Sequence, residues 1–168
     1  DTIHAGLGED TVYGGGGADS IFGEAENDTL DGQAGNDWID GGTGNDVITG
    51  GADNDTLLGE AGNDNISGGG DNDSILGGDG NDTLKGDSGA DIIDGGIGID
   101  QLEGGIGNDT LTGNDGDDTI YGNSAAGDVP DVDVVITAGT LTANDVRFTN
   151  LDGPTQHAGS HWTTVTLN

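Results

Sequence analysis

The sequence predicts an all-β fold in which short parallel strands wind into a coil, and three observations support this. A nine-residue pattern repeats without insertion from Ala5 to Tyr121. The eighth position of every repeat is Ile, Leu or Val, which places one aliphatic side chain inside each strand. Gly fills the first position in twelve of thirteen full repeats and the fourth in ten, as tight turns require. Two repeats then make one turn of the coil, and equivalent residues stack 18 positions apart.

The composition excludes several other classes of protein. Of 168 residues only 30% are hydrophobic, and 33 acidic side chains face two cationic ones, giving a net charge of −31. Such values are typical of disordered chains, but the unbroken period argues against disorder. So acidic a surface repels nucleic acid, and no apolar run is long enough to span a membrane. Cys is absent, which excludes disulfides and thiolate metal sites.

The sixth position of the repeat is the candidate metal ligand, because it is Asp in every repeat. The fourteen residues are Asp1, Asp10, Asp19, Asp28, Asp37, Asp46, Asp55, Asp64, Asp73, Asp82, Asp91, Asp100, Asp109 and Asp118. Stacking at 18 residues arranges them in two files of carboxylates less than about 5 Å apart, which repel one another unless a cation lies between them. Carboxylates beside the carbonyl groups of Gly-rich turns are the oxygen ligands that Ca²⁺ prefers.

The same pattern predicts that folding depends on the metal. One aliphatic side chain per nine residues is a small core, and ordering a Gly-rich backbone carries a large entropic cost. We therefore expect the free energy of calcium binding to supply much of the stability of the fold.

The repeats GGTGNDVIT from Gly41 and GGDGNDTLK from Gly77 resemble the RTX (repeats-in-toxin) nonapeptide over about 121 residues. The resemblance implies a right-handed parallel β-roll in which six residues form a calcium-binding turn and three form a strand. It also implies that an Asp and the Asp two repeats later share an ion, which gives at most about twelve Ca²⁺ ions for fourteen Asp. Finally, it implies type I secretion from a bacterium, and so a secreted, extracellular or cell-surface protein.

Some repeats depart from the RTX pattern. Glu26, Asp53 and Asp71 stand where the fourth-position Gly is expected, which predicts altered turns or an extra carboxylate ligand there. Sites at the two ends are expected to be incomplete, because they have fewer neighbouring turns. The calcium ladder is therefore best supported from Asp19 to Asp109.

The period stops at residue 122, and this divides the chain into two predicted regions. Residues 1–121 form the calcium-binding β-roll, and residues 122–168 form a β-rich C-terminal cap or the start of another domain. Within the second region, the β-branched segments 132–137, 146–150 and 163–167 are predicted strands.

The predicted function is calcium binding by a secreted roll that folds on the ion and serves as a structural, secretion or adhesion module. An alternative is a polysaccharide-binding accessory module of a secreted carbohydrate-active enzyme, and a weaker one is an ice-binding roll, which the eight fifth-position Asn residues favour. Tyr13, Phe22, Trp38 and Tyr121 are interpreted as scattered cover for the strands, since a carbohydrate platform needs aligned rings. No catalytic residue is predicted, and the segment is not expected to be an enzyme.

Overall fold

A computed structural model describes residues 1–122 and the backbone of a further strand at 134–136. The elements are β1 Thr2–Leu7, β2 Thr11–Gly16, β3 Ser20–Ala25, β4 Thr29–Ala34, β5 Trp38–Thr43, β6 Val47–Ala52, β7 Thr56–Ala61, β8 Asn65–Gly70, β9 Ser74–Asp79, β10 Thr83–Ser88, β11 Ile92–Ile97, β12 Gln101–Ile106, β13 Thr110–Asp115, β14 Thr119–Tyr121 and β15 Val134–Ile136. Every element in the described part of the chain is a strand, so that part contains no helix that could cross a membrane.

The strands form two parallel sheets that face each other across a narrow core. Sheet A contains β1, β3, β5, β7, β9, β11, β13 and β15, and sheet B contains the seven even-numbered strands in sequence order. Each strand up to β12 pairs with the strand 18 residues further on, as in Ile39↔Leu57 and Ile48↔Ile66. The predicted parallel coil with two nonapeptides per turn is therefore confirmed.

The core is a single column of aliphatic side chains from each sheet. The eighth-position residues from Ile21 to Leu111 are at most 1% exposed, and Val12 is slightly more open. Ile3 and Ile120 pack against the two ends of this cluster.

The strands are longer than predicted. Each strand from β1 to β13 spans six residues from the seventh position of one repeat to the third position of the next, so the turn itself is only three residues long. Two positions per strand face inward, the eighth-position aliphatic residue and the first-position Gly, as Ile39 and Gly41 do in β5. The sequence suggested a three-residue strand because Gly normally weakens strands. Here its missing side chain leaves room inside the roll.

The chain returns to sheet A after the last regular repeat. β15 pairs with β13 in the register Leu111↔Val135, an offset of 24 residues where other pairs have 18. This strand lies within the predicted strand 132–137. The predicted strands 146–150 and 163–167 lie outside the described residues.

Candidate metal centre

The sixth-position Asp side chains are buried along the turns. From Asp19 to Asp118 each is at most 9% exposed, and most are 1–4% exposed. In each pair one coil apart, the Oδ1 atom of the later Asp accepts a hydrogen bond of 2.8 or 2.9 Å from the backbone N–H of the earlier one, as Asp64 accepts from Asp46. These bonds hold all the carboxylates in the same orientation.

The second carboxylate oxygen is buried without a hydrogen-bond partner. This holds for the Oδ2 atom of each ladder residue from Asp10 to Asp100. A buried anionic oxygen that nothing neutralises is costly, so each such atom marks a position where a cation would stabilise the fold.

The first-position Gly makes room for this oxygen. A Cβ atom at Gly23 would lie 2.7 Å from Asp28 Oδ2 and 2.5 Å from the carbonyl oxygen of Gly41. The first-position glycines do not have the positive φ that favours Gly. Gly is therefore needed there because the carboxylate and carbonyl oxygens approach too closely for a Cβ atom. The carboxylate oxygen and the carbonyl oxygen of the next coil thus face the same small space.

Carbonyl groups of the second and fourth positions point along the roll axis. A Cβ atom at Gly44 would overlap the carbonyl oxygen of Glu26, and one at Gly62 would overlap that of Gly44. Each turn therefore presents backbone oxygen atoms toward the next turn.

Burial also changes the acidity of the ladder. Loss of hydration raises the pKa of Asp55, Asp64 and Asp100 to about 6. It raises the pKa of Asp73 to about 7, and repulsion from Asp91 adds to this, while hydrogen bonding from the Asp55 backbone opposes it. The carboxylates are therefore poorly stabilised as anions by the protein alone.

These residues fit a hard divalent cation such as Ca²⁺, which takes six to eight oxygen ligands. Within the described residues no three acidic or His side chains converge on one point. An ion in the turns would therefore take carboxylate oxygens from the Asp ladder and its remaining ligands from backbone carbonyls. When bound, it would neutralise the buried Oδ2 atoms and tie adjacent coils together.

The two ends of the ladder differ from its middle. Asp1 has a side chain that is 89% exposed, and its backbone nitrogen lies 2.6 Å from Asp19 Oδ1. Asp10 is half-buried, whereas Asp118 at the other end of the described ladder is buried. The carboxylates of the first coil are therefore the most exposed of the ladder.

At the three turns without a fourth-position Gly, φ stays positive but is smaller than at the fourth-position glycines, where it ranges from 94° at Gly17 to 153° at Gly98. Glu26, Asp53 and Asp71 have φ values of 73°, 77° and 71°. Positive φ is costly for residues with a Cβ atom. The backbone of these turns is therefore altered, as predicted, and of the three only Glu26 bonds to another turn, through its Oε2 atom and the Gly8 backbone N–H.

Two features of the turns and faces were missed in the sequence. Ninth-position side chains bond to second-position side chains of the next coil, 20 residues on, as His4 does to Glu24 at 3.0 Å and Ser67 does to Asp87. Fifth-position Asn side chains form ladders, since Asn45 Oδ1 accepts a 2.7 Å hydrogen bond from the Asn63 backbone N–H. The Asn ladder thus engages in internal hydrogen bonds the same fifth-position side chains that an ice-binding surface would present to water.

The aromatic residues are less scattered than expected. Tyr13 and Tyr121 lie on sheet B, but the rings of Phe22 and Trp38 on sheet A have centroids 4.9 Å apart. His4 stacks on Phe22 with centroids 4.6 Å apart and ring planes at 7°. Their interpretation as isolated cover was therefore wrong for Phe22 and Trp38, because residues 16 apart in sequence lie on adjacent strands.

The family comparison agrees with this geometry. The model of the RTX calcium-binding nonapeptide repeat matches four times, over residues 1–30, 31–66, 67–102 and 94–126, which together cover most of the chain. Repeats of this family bind calcium in a β-roll. No curated protein and no solved structure matches the chain. The chain therefore belongs to the RTX calcium-binding nonapeptide repeat family.

Proposed function

We propose that this chain is a secreted module that folds when Ca²⁺ binds between its turns, and that it supports a larger extracellular or cell-surface protein of a bacterium. The observation that carries the proposal is the file of buried Asp Oδ2 atoms without hydrogen-bond partners, from Asp10 to Asp100. The ladder Asp residues and the turn carbonyls are the proposed ligands.

Electrostatics support a coupling between metal and fold. Without a cation, each coil adds buried carboxylates to a chain whose net charge is already −31. Each bound Ca²⁺ offsets two of these charges and replaces lost hydration with direct ligation, so its binding free energy contributes to folding.

The same coupling supports a role in export. In a compartment with little calcium the repulsion keeps the chain unfolded, and an unfolded chain can pass a narrow secretion channel. Outside the cell, calcium would order the coils and give the parent protein a rigid segment. The proposed role is thus structural, in secretion or adhesion, and assigns no catalytic group.

A calcium titration followed by far-ultraviolet circular dichroism tests the proposal. At about pH 8 we expect the chain to lack β-structure in chelator and to gain it cooperatively as Ca²⁺ is added, with Mg²⁺ much less effective because it requires a tighter octahedral site. Complete β-structure in chelator would refute the coupling of folding to metal.

A further inference from the structure

The outer face of sheet A carries a band of large apolar side chains on five adjacent strands. The strands β3, β5, β7, β9 and β11 of sheet A contribute one each. We call this set the apolar band: Phe22, Trp38, Leu58, Leu76 and Ile92. Leu58 is in register with Leu76, and the ring of Phe22 contacts that of Trp38. The remaining neighbours are diagonal across adjacent strands, within reach of large side chains.

The band is accessible and has no counterpart on sheet B. Leu76 is 38% exposed and Ile92 is 59% exposed, while the other three members are half-buried. On sheet B, Val47 is the one large apolar side chain at a seventh or ninth position between Tyr13 in β2 and Tyr121 in β14, and the exposed Ile106 lies at the end of β12 next to the turn. Large apolar side chains grouped on one face of a strongly acidic protein indicate an interaction surface.

Acidic residues lie within and beside the band on the same sheet, since Asp40 is in register with both Phe22 and Leu58 and Asp94 is in register with Leu76. The seven long strands of sheet A contain six acidic side chains and no Lys or Arg, and the six acidic residues are Glu24, Asp40, Glu60, Asp79, Asp94 and Asp115. The strands of sheet B contain three acidic residues together with Lys85. The more apolar face is therefore also the more anionic, which suits a cationic partner with an apolar surface.

Two other occupants fit less well. A second copy of this chain would bring acidic residues against acidic residues, because sheet A offers no Lys or Arg to pair with them. A glycan that stacks on aromatic rings needs open ring faces, whereas the ring faces of His4 and Phe22 cover each other at 7°. These observations favour a basic protein segment.

The spacing of the band matches an α-helix. Adjacent strands are about 4.8 Å apart, and one helical turn rises about 5.4 Å. Over the four strand steps from β3 to β11 the difference adds up to about 2.4 Å, less than half a helical turn. Apolar residues on successive turns of one helix face can therefore meet successive members of the band.

We propose that the outer face of sheet A binds a basic amphipathic α-helix of a partner protein, which lies along the roll axis over the apolar band. This inference rests on the calcium-folded roll proposed above, because the band forms only when the coils stack.

The test measures binding of two labelled synthetic peptides to the calcium-saturated chain by fluorescence anisotropy. Both peptides contain about 18 residues of Leu and Lys, enough for five helical turns. One has Leu at helical spacing on one face, and the other has the same composition with Leu distributed around the helix. We expect the amphipathic peptide to bind at least about tenfold more tightly.

Matched variants then locate the site. Leu76→Asn combined with Ile92→Asn should weaken binding of the amphipathic peptide about tenfold, since these are the two most exposed side chains of the band. Val47→Asn, at an outer strand position of sheet B with 43% exposure, should change it by less than about twofold. All three side chains point to solvent, so circular dichroism in calcium should stay unchanged.

Three results would overturn the inference. Equal affinity for the two peptides, or no effect of the double variant, would mean that binding is only electrostatic. Calcium-dependent dimers in sedimentation that the double variant abolishes would assign the face to a second copy. Binding of a β-glucan oligosaccharide that is lost in Trp38→Ala, without peptide discrimination, would assign it to a glycan. Absence of calcium-induced folding would instead refute the proposed function, and circular dichroism detects that separately.

Discussion

The central coils and the first coil have the same repeat pattern but different surroundings. Around Asp64 the carboxylate is buried, and the glycines touch backbone atoms of the preceding coil. In the first coil Asp1 is exposed, Leu7 is 86% exposed, and a Cβ atom at Gly8 would meet nothing within 4 Å. The burial and the contacts of a residue in the repeat thus depend on the coil that precedes it, as expected for a stacked fold with nearest-neighbour interactions.

The largest expected effect comes from replacing a fourth-position Gly in the two regions. Gly62→Ala places a Cβ atom on the carbonyl oxygen of Gly44 in addition to forcing a positive φ of 148°. We expect it to destabilise the calcium-loaded roll by about 3–5 kcal/mol, in the range of severe steric defects. Gly8→Ala has only the backbone cost, about 1–2 kcal/mol. Thermal unfolding in saturating calcium measures both, and equal losses would contradict the importance of coil stacking.

The next effect concerns calcium ligation. Asp64→Ala removes a proposed ligand of two ions, one on each side of its coil, and leaves the Asp46 backbone N–H without its acceptor. We expect isothermal titration calorimetry to show about two fewer tight ions and a higher calcium midpoint. Asp10→Ala, in the half-buried position, should cost at most about one ion. If the two variants lose the same number, the ladder does not bind calcium as proposed.

The smallest effect is a pH dependence of the calcium-free chain. Asp55, Asp64 and Asp100 have pKa values near 6 and Asp73 near 7, above the usual 3.8. At pH values between the usual Asp pKa of 3.8 and these raised values, the folded roll binds more protons than the unfolded chain. Protonation of the ladder therefore contributes stability that is fully present below about pH 4 and is lost as the pH rises through 6 to 7.

In chelator we therefore expect more β-structure at about pH 5 than at about pH 8, measured by circular dichroism. Asp73→Asn, which is neutral at every pH, should flatten the upper part of this profile, whereas Asp1→Asn should leave it unchanged because Asp1 is exposed. A profile that rises with pH would contradict the assigned cause of the shifts.

Much of the fold and of the site followed from the sequence because the repeat has no insertions. An unbroken nine-residue period fixes the 18-residue register, and so places Ile39 beside Leu57 and Asp46 beside Asp64. The period does not show where the strand ends within the nine residues. Gly41 was assigned to a turn on its conformational freedom, but it lies in β5 as an inward residue that leaves space for Asp46 Oδ2.

The apolar band was hidden in the sequence for a related reason. Its members occupy the seventh position in some repeats and the ninth in others, as Trp38 and Phe22 do, so no single column of the repeat is apolar. Their contact depends on diagonal neighbours across strands, which a linear period does not display.

The 18-residue register has a consequence for how such a gene can change length. Duplication or loss of 18 residues adds or removes one strand in each sheet, and every other residue keeps its face, its file and its neighbours. Duplication or loss of nine also preserves the core, but it moves all later repeats to the opposite sheet. Trp38 and Leu76 would then lie on opposite faces if the change fell between them. Recombination that adds or removes one repeat thus changes which residues share a face. Recombination that adds or removes two repeats keeps the surface pattern and changes only its length.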